Sequence, residues 1–528
     1  MKPQRNINSR RRSRESGVAI YITAVLLVLI IPMVGLAIDS TLLYIVKARL
    51  QGAVDGAALA ASRGLSRGTD ETTQKNAAIA AGKTYVMLNY PANYFFSNSV
   101  TVDPDNGVSI DLSVAHQRTV TVTASVVQPT LFMRWLNFTS TTVVAKAETV
   151  RKDVNVVLVL DRSGSMTASG SCTPMKAAAI NFLSNFAAGR DEVGIVSFAT
   201  SAVVQMALTS TFNNNDPSGS GLNTTTVVNG LSCQGSTNSS SALWTAYDQL
   251  VRLNQSGALN YIVFFTDGEP TAVSVNMPIA AGSTCNDTNI PKVVSGGTPP
   301  PGLPSGYVGK YIPGAYAVFV DGSAFIGNAK YWAVANSDGS LPSTVTNSND
   351  QVVADYSTGC AYASGWSSTG PNSTNWQKIT DFQGIPVTDV YGSNLVNDSY
   401  KTTTRAGNYI KISDHTNGIP MATNAADDAA KRIRTGATDQ GPNGGAWPDG
   451  VSAPAHGLSG VIIHSIGLGN APVPIAADNV LFTRISNTTT SPIYDSSYGS
   501  GVYAYAPTAA ELGQAFQQIA SEILRLSK

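Results

Sequence analysis

The spacing of apolar and polar positions changes character along the chain, and each change marks an element. From Gly17 to Ile38 the residues are almost all apolar and none is charged. At about 1.5 Å rise per residue, roughly 22 helical positions match the roughly 30 Å hydrocarbon core of a bilayer. The helical pattern then continues, with Leu42, Leu43, Ile45, Val46, Leu50, Val54, Ala58 and Ala61 at three- and four-residue spacing. One long helix is expected to emerge from the membrane, with Pro32 as a candidate kink. A second helix is expected near 72–88. Beyond it the period falls to two. Val100 and Val102, the turn residues Asp105-Asn106-Gly107, and Val108, Ile110 and Leu112 read as a hairpin, and Val120, Val122, Ala124 and Val126 alternate likewise. Asp103-x-Asp105 with Gly107 superficially resembles a calcium loop, but Val114 stands where a bidentate Glu is required, so the turn reading prevails. Residues 39–150 are expected to form an extended helix and a small α+β domain.

From Asp153 the pattern changes again. Val154 to Leu160 is a near-continuous β-branched run, the mark of a parallel strand buried on both faces. A helix at 174–188, a strand at 192–199, a helix at 240–253, a strand at 261–266, a helix at 422–435 and a strand at 460–466 are expected to follow. This alternation predicts an α/β fold with a doubly wound, mostly parallel sheet over 151–528. The chain closes on a helix with a capping box, Thr508-x-x-Glu511, and a stripe of Leu512, Phe516, Ile519, Ile523 and Leu526. Between strand 261–266 and helix 422–435 lies a segment, about 271–420, rich in Gly, Ser, Asn, Tyr and Pro. Its length predicts an inserted subdomain rather than a bare loop.

Charge decides topology. Only 13% of the 528 residues are charged and the net charge is zero, so no general attraction to nucleic acid follows. Lys2, Arg5, Arg10, Arg11, Arg12 and Arg14 concentrate before the apolar run. By the positive-inside rule they hold residues 1–16 in the cytoplasm and send the rest outward from a transmembrane helix at 17–38. A cleaved signal peptide, with Gly35-Leu36-Ala37 as its small-x-small site, is the competing reading; the run exceeds the roughly 7–15 residues of a typical h-region. Cys172, Cys233, Cys285 and Cys360 all follow the helix, and none forms a Cys-x-x-Cys pair. In an oxidising compartment they suggest two disulfides; of three possible pairings, Cys172 with Cys233 and Cys285 with Cys360 is preferred.

The chemistry is concentrated where strands end. Asp161-x-Ser163-x-Ser165 follows a buried strand, and Asp267 ends another in Phe265-Thr266-Asp267-Gly268. Thr237 precedes a helix. Two carboxylates and three hydroxyls at the carboxyl edge of one sheet form a hard oxygen set suited to Mg²⁺ or Mn²⁺, and an incomplete shell leaves a position that a partner carboxylate can fill. His116, His415, His456 and His464 lie in no hydrolase or metalloprotease context, and His464 reads as a core residue, so no enzyme is expected.

This Asp161-Arg162-Ser163-Gly164-Ser165 loop, with Thr237 and Asp267, resembles the metal-ion-dependent adhesion site of von Willebrand factor type A domains. The N-terminus resembles the TadE/TadG-like proteins of Tad (tight adherence) pilus assembly in Gly17, Asp39, Leu50-Gln51, Asp55 and Ala57-Ala58-Leu59-Ala60-Ala61. Pseudopilins processed in that family carry a Glu five residues after the processing Gly; Ile22 stands there, so the segment is expected to remain as an anchor. Together the resemblances imply a TadG-like, non-enzymatic component of a Tad/Flp pilus system. They place it in the bacterial inner membrane, its metal domain periplasmic and engaging a pilus or secretion-system protein. The alternative is a surface adhesin binding a carboxylate-bearing ligand.

Overall fold

The computed structural model describes residues 16–67, 70–199, 202–212, 223–235, 237–277, 315–321, 330–333, 366–367, 370–371, 386–389, 391–397, 399–407, 409–410, 418–436, 458–469 and 478–526. The chain divides into two compact units, one of residues up to 67 with 72–111 and 119–150, the other of 68–71, 112–118 and 151 onward.

In the first unit a single helix, α1 (Ser16–Gly64), runs through Pro32 without interruption. Its 49 residues make it about 73 Å long at 1.5 Å per residue. Residues 18–34 expose their apolar side chains, whereas Val46, Leu50, Val54, Ala57 and Ala61 are buried. Those outer positions pack on α2 (Glu71–Asn89) and on a three-stranded antiparallel sheet, β1 (Val108–Asp111), β2 (Gln117–Pro129) and β3 (Ser140–Lys152), with β2 central. Gly64 is needed where the helices meet, because a Cβ there would lie 2.6 Å from the Ala78 Cα.

The expected hairpin at 100–112 does not form. Thr101 and Ser125 exchange backbone hydrogen bonds of 2.8 and 2.9 Å, and Val108 pairs with Val122, so both halves run along β2. The residues between them fold into a turn held by Asp103. Its Oδ1 accepts from the N–H of Asp105 (2.9 Å) and of Asn106 (2.7 Å), and its carbonyl accepts from Gly107 (3.0 Å). The turn and the strands at 108–112 and 120–126 were legible; that both flanks of the turn pair with β2 and not with each other was not.

The second unit is a six-stranded sheet. Its strands are β4 (Val154–Asp161), β5 (Glu192–Phe198), β6 (Ala202–Thr209), β7 (Leu259–Thr266), β11 (Ile462–Leu468) and β12 (Tyr503–Ala506), in the order β12-β11-β7-β4-β5-β6. Every pairing is parallel except β5 with the edge strand β6. Side chains alternate across it: Val156, Leu158 and Leu160 enter one core with α4 (Cys172–Leu183), α5 (Thr224–Asn229) and α9 (Leu512–Leu526). Val157 and Val159 enter the other with α6 (Ser239–Leu253), α7 (Gly418–Thr435) and α8 (Asn479–Ile485). Burial on both faces explains why β4 and β7 read as continuous apolar runs.

Helix α4 stops short of the expected 188: the Asn185 and Phe186 N–H groups donate three residues back, to Phe182 (3.2 Å) and Leu183 (3.3 Å), and the Ala187 N–H donates to the Asp191 carboxylate at 2.8 Å. Helix α7 begins at Gly418, four residues earlier than expected. Thr508 and Glu511 form the capping box before α9, and Leu512, Phe516, Ile519 and Ile523 are buried; the Leu526 side chain lies outside the described ones. Within the insertion, β8 (Ala272–Met277), β9 (Ala315–Asp321) and β10 (Lys330–Ala333) form an antiparallel sheet of their own, centred on β9.

His464 lies fully buried on β11, stacked on Tyr261, its Nδ1 accepting from the Val502 N–H at 3.0 Å. Burial lowers its pKa from 6.5 to about 4. The unfolded chain therefore takes up a proton that the folded one refuses, so stability is intact above pH 6.5 and is lost as the pH falls toward 4. This single group accounts for about 3 kcal/mol over that interval, at 1.36 kcal/mol per unit. In His464→Asn, which keeps an acceptor for Val502, urea midpoints measured at pH 7, 5.5 and 4 are expected to fall less steeply than in the parent. Parallel slopes would refute the assignment.

Candidate functional site

Strands β4 and β7 are central neighbours, with Leu160 paired to Phe265. Asp161 and Asp267 therefore leave the sheet side by side at its carboxyl edge. The turn after β4 supplies Ser163 and Ser165 at the head of α3 (Gly164–Ala168). Hydrogen bonds join the four residues. The Ser163 N–H donates to Asp161 Oδ1 (2.7 Å), the Ser163 and Ser165 hydroxyls are 2.8 Å apart, and the Ser165 hydroxyl donates to Asp267 Oδ1 (2.6 Å). Thr237 is held by its backbone to the chain that follows Asp267 and not to these four: its carbonyl accepts from the Thr271 (2.8 Å) and Ala272 (3.0 Å) N–H groups, and its own N–H donates to Thr271 Oγ1 (3.0 Å).

A second tier holds the loop that carries Thr237. The Gly164 N–H donates to the Gly235 carbonyl (2.8 Å), the Gln234 N–H to the Arg162 carbonyl (2.6 Å) and the Thr167 hydroxyl to the Cys233 carbonyl (2.6 Å). A disulfide between Cys172 and Cys233, 61 residues apart in sequence, ties the same loop to the start of α4. Cys285 and Cys360 lie outside the described residues.

All five side-chain donors are buried, and Asp161 and Asp267 are fully so. Burial is the main force raising the Asp161 pKa to about 6, opposed by hydrogen bonds from Thr266 and Ser163. Burial, followed by the charge of Asp161, pushes Asp267 to about 8, while the Ser165 hydroxyl pulls the other way. Asp267 Oδ2 is buried with no hydrogen-bond partner. An orphaned carboxylate oxygen in a cluster with a second carboxylate and the hydroxyls of Ser163 and Ser165 is a donor set that fits a hard divalent cation. No group of three or more His, Cys, Asp or Glu is placed to hold a metal ion among the described residues, so the only charge in this donor set is that of the two aspartates.

Two participants escaped the sequence reading. The Thr266 hydroxyl donates to Asp161 Oδ2 at 2.5 Å and fixes that carboxylate; a polar residue ending an apolar strand was its only signal. Asp389, from the insertion, accepts from the Ser240 hydroxyl (2.5 Å) and from the N–H groups of Tyr391 (2.9 Å) and Ser393 (2.7 Å). Burial raises its pKa to about 7. It secures the insertion against the first turn of α6, directly after Thr237. Nothing in the sequence links residues 149 positions apart. Of the histidines, His116 lies 3.6 Å from Asp153, His464 is in the core, and His415 and His456 lie outside the described residues.

Residues 156–269, which include all five donors, match the family described as von Willebrand factor type A domain, and residues 17–64 match the one described as putative Flp pilus-assembly TadE/G-like. The chain joins a TadE/G-like segment to a von Willebrand factor type A domain. No curated protein matches it. Among solved structures it is similar to the pilus adhesin SpaC from Lactobacillus rhamnosus GG, at 14% identity and a TM-score of 0.33, over 81% of this chain and 36% of that one. Thus the chain spans little more than a third of SpaC. A second is the vWF domain of the type V pili tip protein Mfa5 from Porphyromonas gingivalis, also at 14% and 0.33, over 72% of this chain and 98% of that one. A third is the PilB minor pilin from Streptococcus sanguinis, at 14% and 0.31, over 80% and 78%.

The type A domain's site loop depends on its disulfide. Replacing Cys172 and Cys233 together with Ala is expected to lower the unfolding free energy of this domain by about 4 kcal/mol, the chain-entropy value for a closed loop of that size. Urea unfolding of the full chain in detergent, with and without the substitutions, measures it. A loss below about 1 kcal/mol would show that the hydrogen bonds at Gly235 and Gln234 suffice alone.

Proposed function

We propose that the chain is a membrane-anchored, cation-dependent protein-interaction component of a Tad/Flp pilus assembly and secretion system. The observation that carries this reading is the junction, in one chain, of a TadE/G-like segment and a type A domain. The apolar stretch of α1 serves as a single-pass anchor, with the basic N-terminus cytoplasmic and the type A domain outside the inner membrane. Support for the anchor comes from the length of that stretch and from the exposure of residues 18–34. The role is binding, with no catalytic step.

Asp161, Ser163, Ser165, Thr237 and Asp267 are the proposed ligands of Mg²⁺ or Mn²⁺. When bound, the cation would offer an open coordination position to a carboxylate from another pilus or secretion-system protein. The chain's own residues do the rest: Thr266 and the Ser163 N–H orient Asp161, Ser165 orients one oxygen of Asp267, and the other oxygen is left without a protein partner.

Mg²⁺ or Mn²⁺ at a hundred times its Kd is expected to stabilise the type A domain by about 2.7 kcal/mol. Asp267→Asn should abolish that response yet be no less stable than the parent in EDTA at pH 7, because the carboxyl, pushed to about 8, is already largely uncharged there and Asn keeps an oxygen to accept from Ser165. Thermal unfolding measures both, and a parent indifferent to the cation sinks the metal reading. In cells, deletion of the gene is expected to abolish surface pili. Intact pili with attachment lost in Asp161→Ala would favour an adhesin instead.

A further inference from the structure

The loop between β2 and β3, Leu131-Phe132-Met133-Arg134-Trp135-Leu136-Asn137-Phe138, is apolar out of proportion to its exposure. Trp135 is 86% exposed, Phe138 61% and Leu136 59%. A monomeric soluble surface rarely gathers so many large apolar side chains without a use for them.

The loop's position on α1 says what that use is. Asp39, one residue beyond the apolar run, accepts hydrogen bonds from the backbone N–H of Leu131 (2.8 Å), Phe132 (3.0 Å) and Met133 (2.7 Å). Its carboxylate thereby caps the short helical turn Met133–Leu136. One helical turn earlier, Gly35 leaves the space that Phe132 fills: a Cβ there would stand 2.6 Å from the Phe132 Cβ. These contacts fix the loop against residues 35–39, where the apolar surface of the helix ends. The exposed side chains of the loop are therefore continuous with that surface.

We propose that residues 131–138 form a second membrane contact, seated in the outer headgroup layer of the bilayer that α1 crosses. The inference rests on α1 being a spanning helix. A segment at that depth meets the boundary between acyl chains and headgroups, where Trp is enriched because its ring is apolar and its N–H needs a polar partner. Arg134, exposed beside Trp135, is placed to meet lipid phosphate. With the helix fixed by Asp39 and Phe132 to a loop resting on the surface, rotation and sliding of α1 in the membrane would be restricted.

The test uses the full chain reconstituted in phosphatidylethanolamine–phosphatidylglycerol vesicles, with and without bromine on the acyl chains. The protein has 6 tryptophans, so the difference between the parent and Trp135→Phe isolates the Trp135 emission. That component is expected to be blue-shifted and to lose most of its intensity in brominated lipid. Flotation after alkaline washing reports the anchor separately. If the chain stays with the vesicles while Trp135 emits as in water and is not quenched, the loop faces solvent or a protein partner and the proposal fails alone. If the chain is washed off, the spanning reading fails and takes the proposal with it.

Discussion

Two aspartates buried side by side at one edge of a parallel sheet set the terms for much of the type A domain. Pairing β4 with β7 in the register Leu160 to Phe265 brings Asp161 and Asp267 together whatever else the chain does. Desolvation then opposes charge on both, and each opposes charge on the other. The surrounding hydroxyls of Ser163, Ser165 and Thr266 partly offset that cost by donating or relaying hydrogen bonds. Even so, these neutral donors leave one carboxylate oxygen of Asp267 unmet.

The elements around the site hold it from several directions. The disulfide and three backbone-directed hydrogen bonds secure the loop bearing Thr237. Behind it, Asp389 joins the insertion to α6, and Tyr391 stacks on Trp244 with ring planes 14° apart. On the other side, Lys401 lies 3.5 Å from Glu269 and 3.0 Å from Asp478, which caps α8. The insertion leaves the sheet beside Asp267 and is tied back at both flanks of the same edge. A partner engaging the site would meet these residues as well as the five donors.

In the first unit the governing constraint is different. A helix of 49 residues exposes its apolar side chains over one part and buries them against a small sheet over another. The sequence manages the change by composition: bulky side chains project from residues 18–34, whereas Ala53, Ala57, Ala58 and Ala61 allow close packing against α2 and β2. Asp39 marks the boundary, and its carboxylate is spent on the loop that returns there.

Periodicity alone determined most of this architecture. Strands buried on both faces have no polar side to hide, so β4, β5, β7 and β11 could be read directly, and the helices between them follow from their stripes. The positions of Asp161, Ser163, Ser165 and Asp267 at one sheet edge were legible because they end or directly follow strands buried on both faces, and that of Thr237 because it precedes a helix; Asp and Ser there also serve as helix caps, so the pattern carried weight only as a set. Elements with weak or mixed patterns, namely β6, β12 and α8, became visible only in three dimensions, where neighbouring strands and helices supply the burial their own sequences do not announce. The same holds for the pairing of both flanks of the turn at 103–107 with β2, and for Asp389, Thr271 and the Asp39 cap. Each depends on atoms brought together across long stretches of chain, and a one-dimensional pattern records which residues want to be buried but not which ones they will meet.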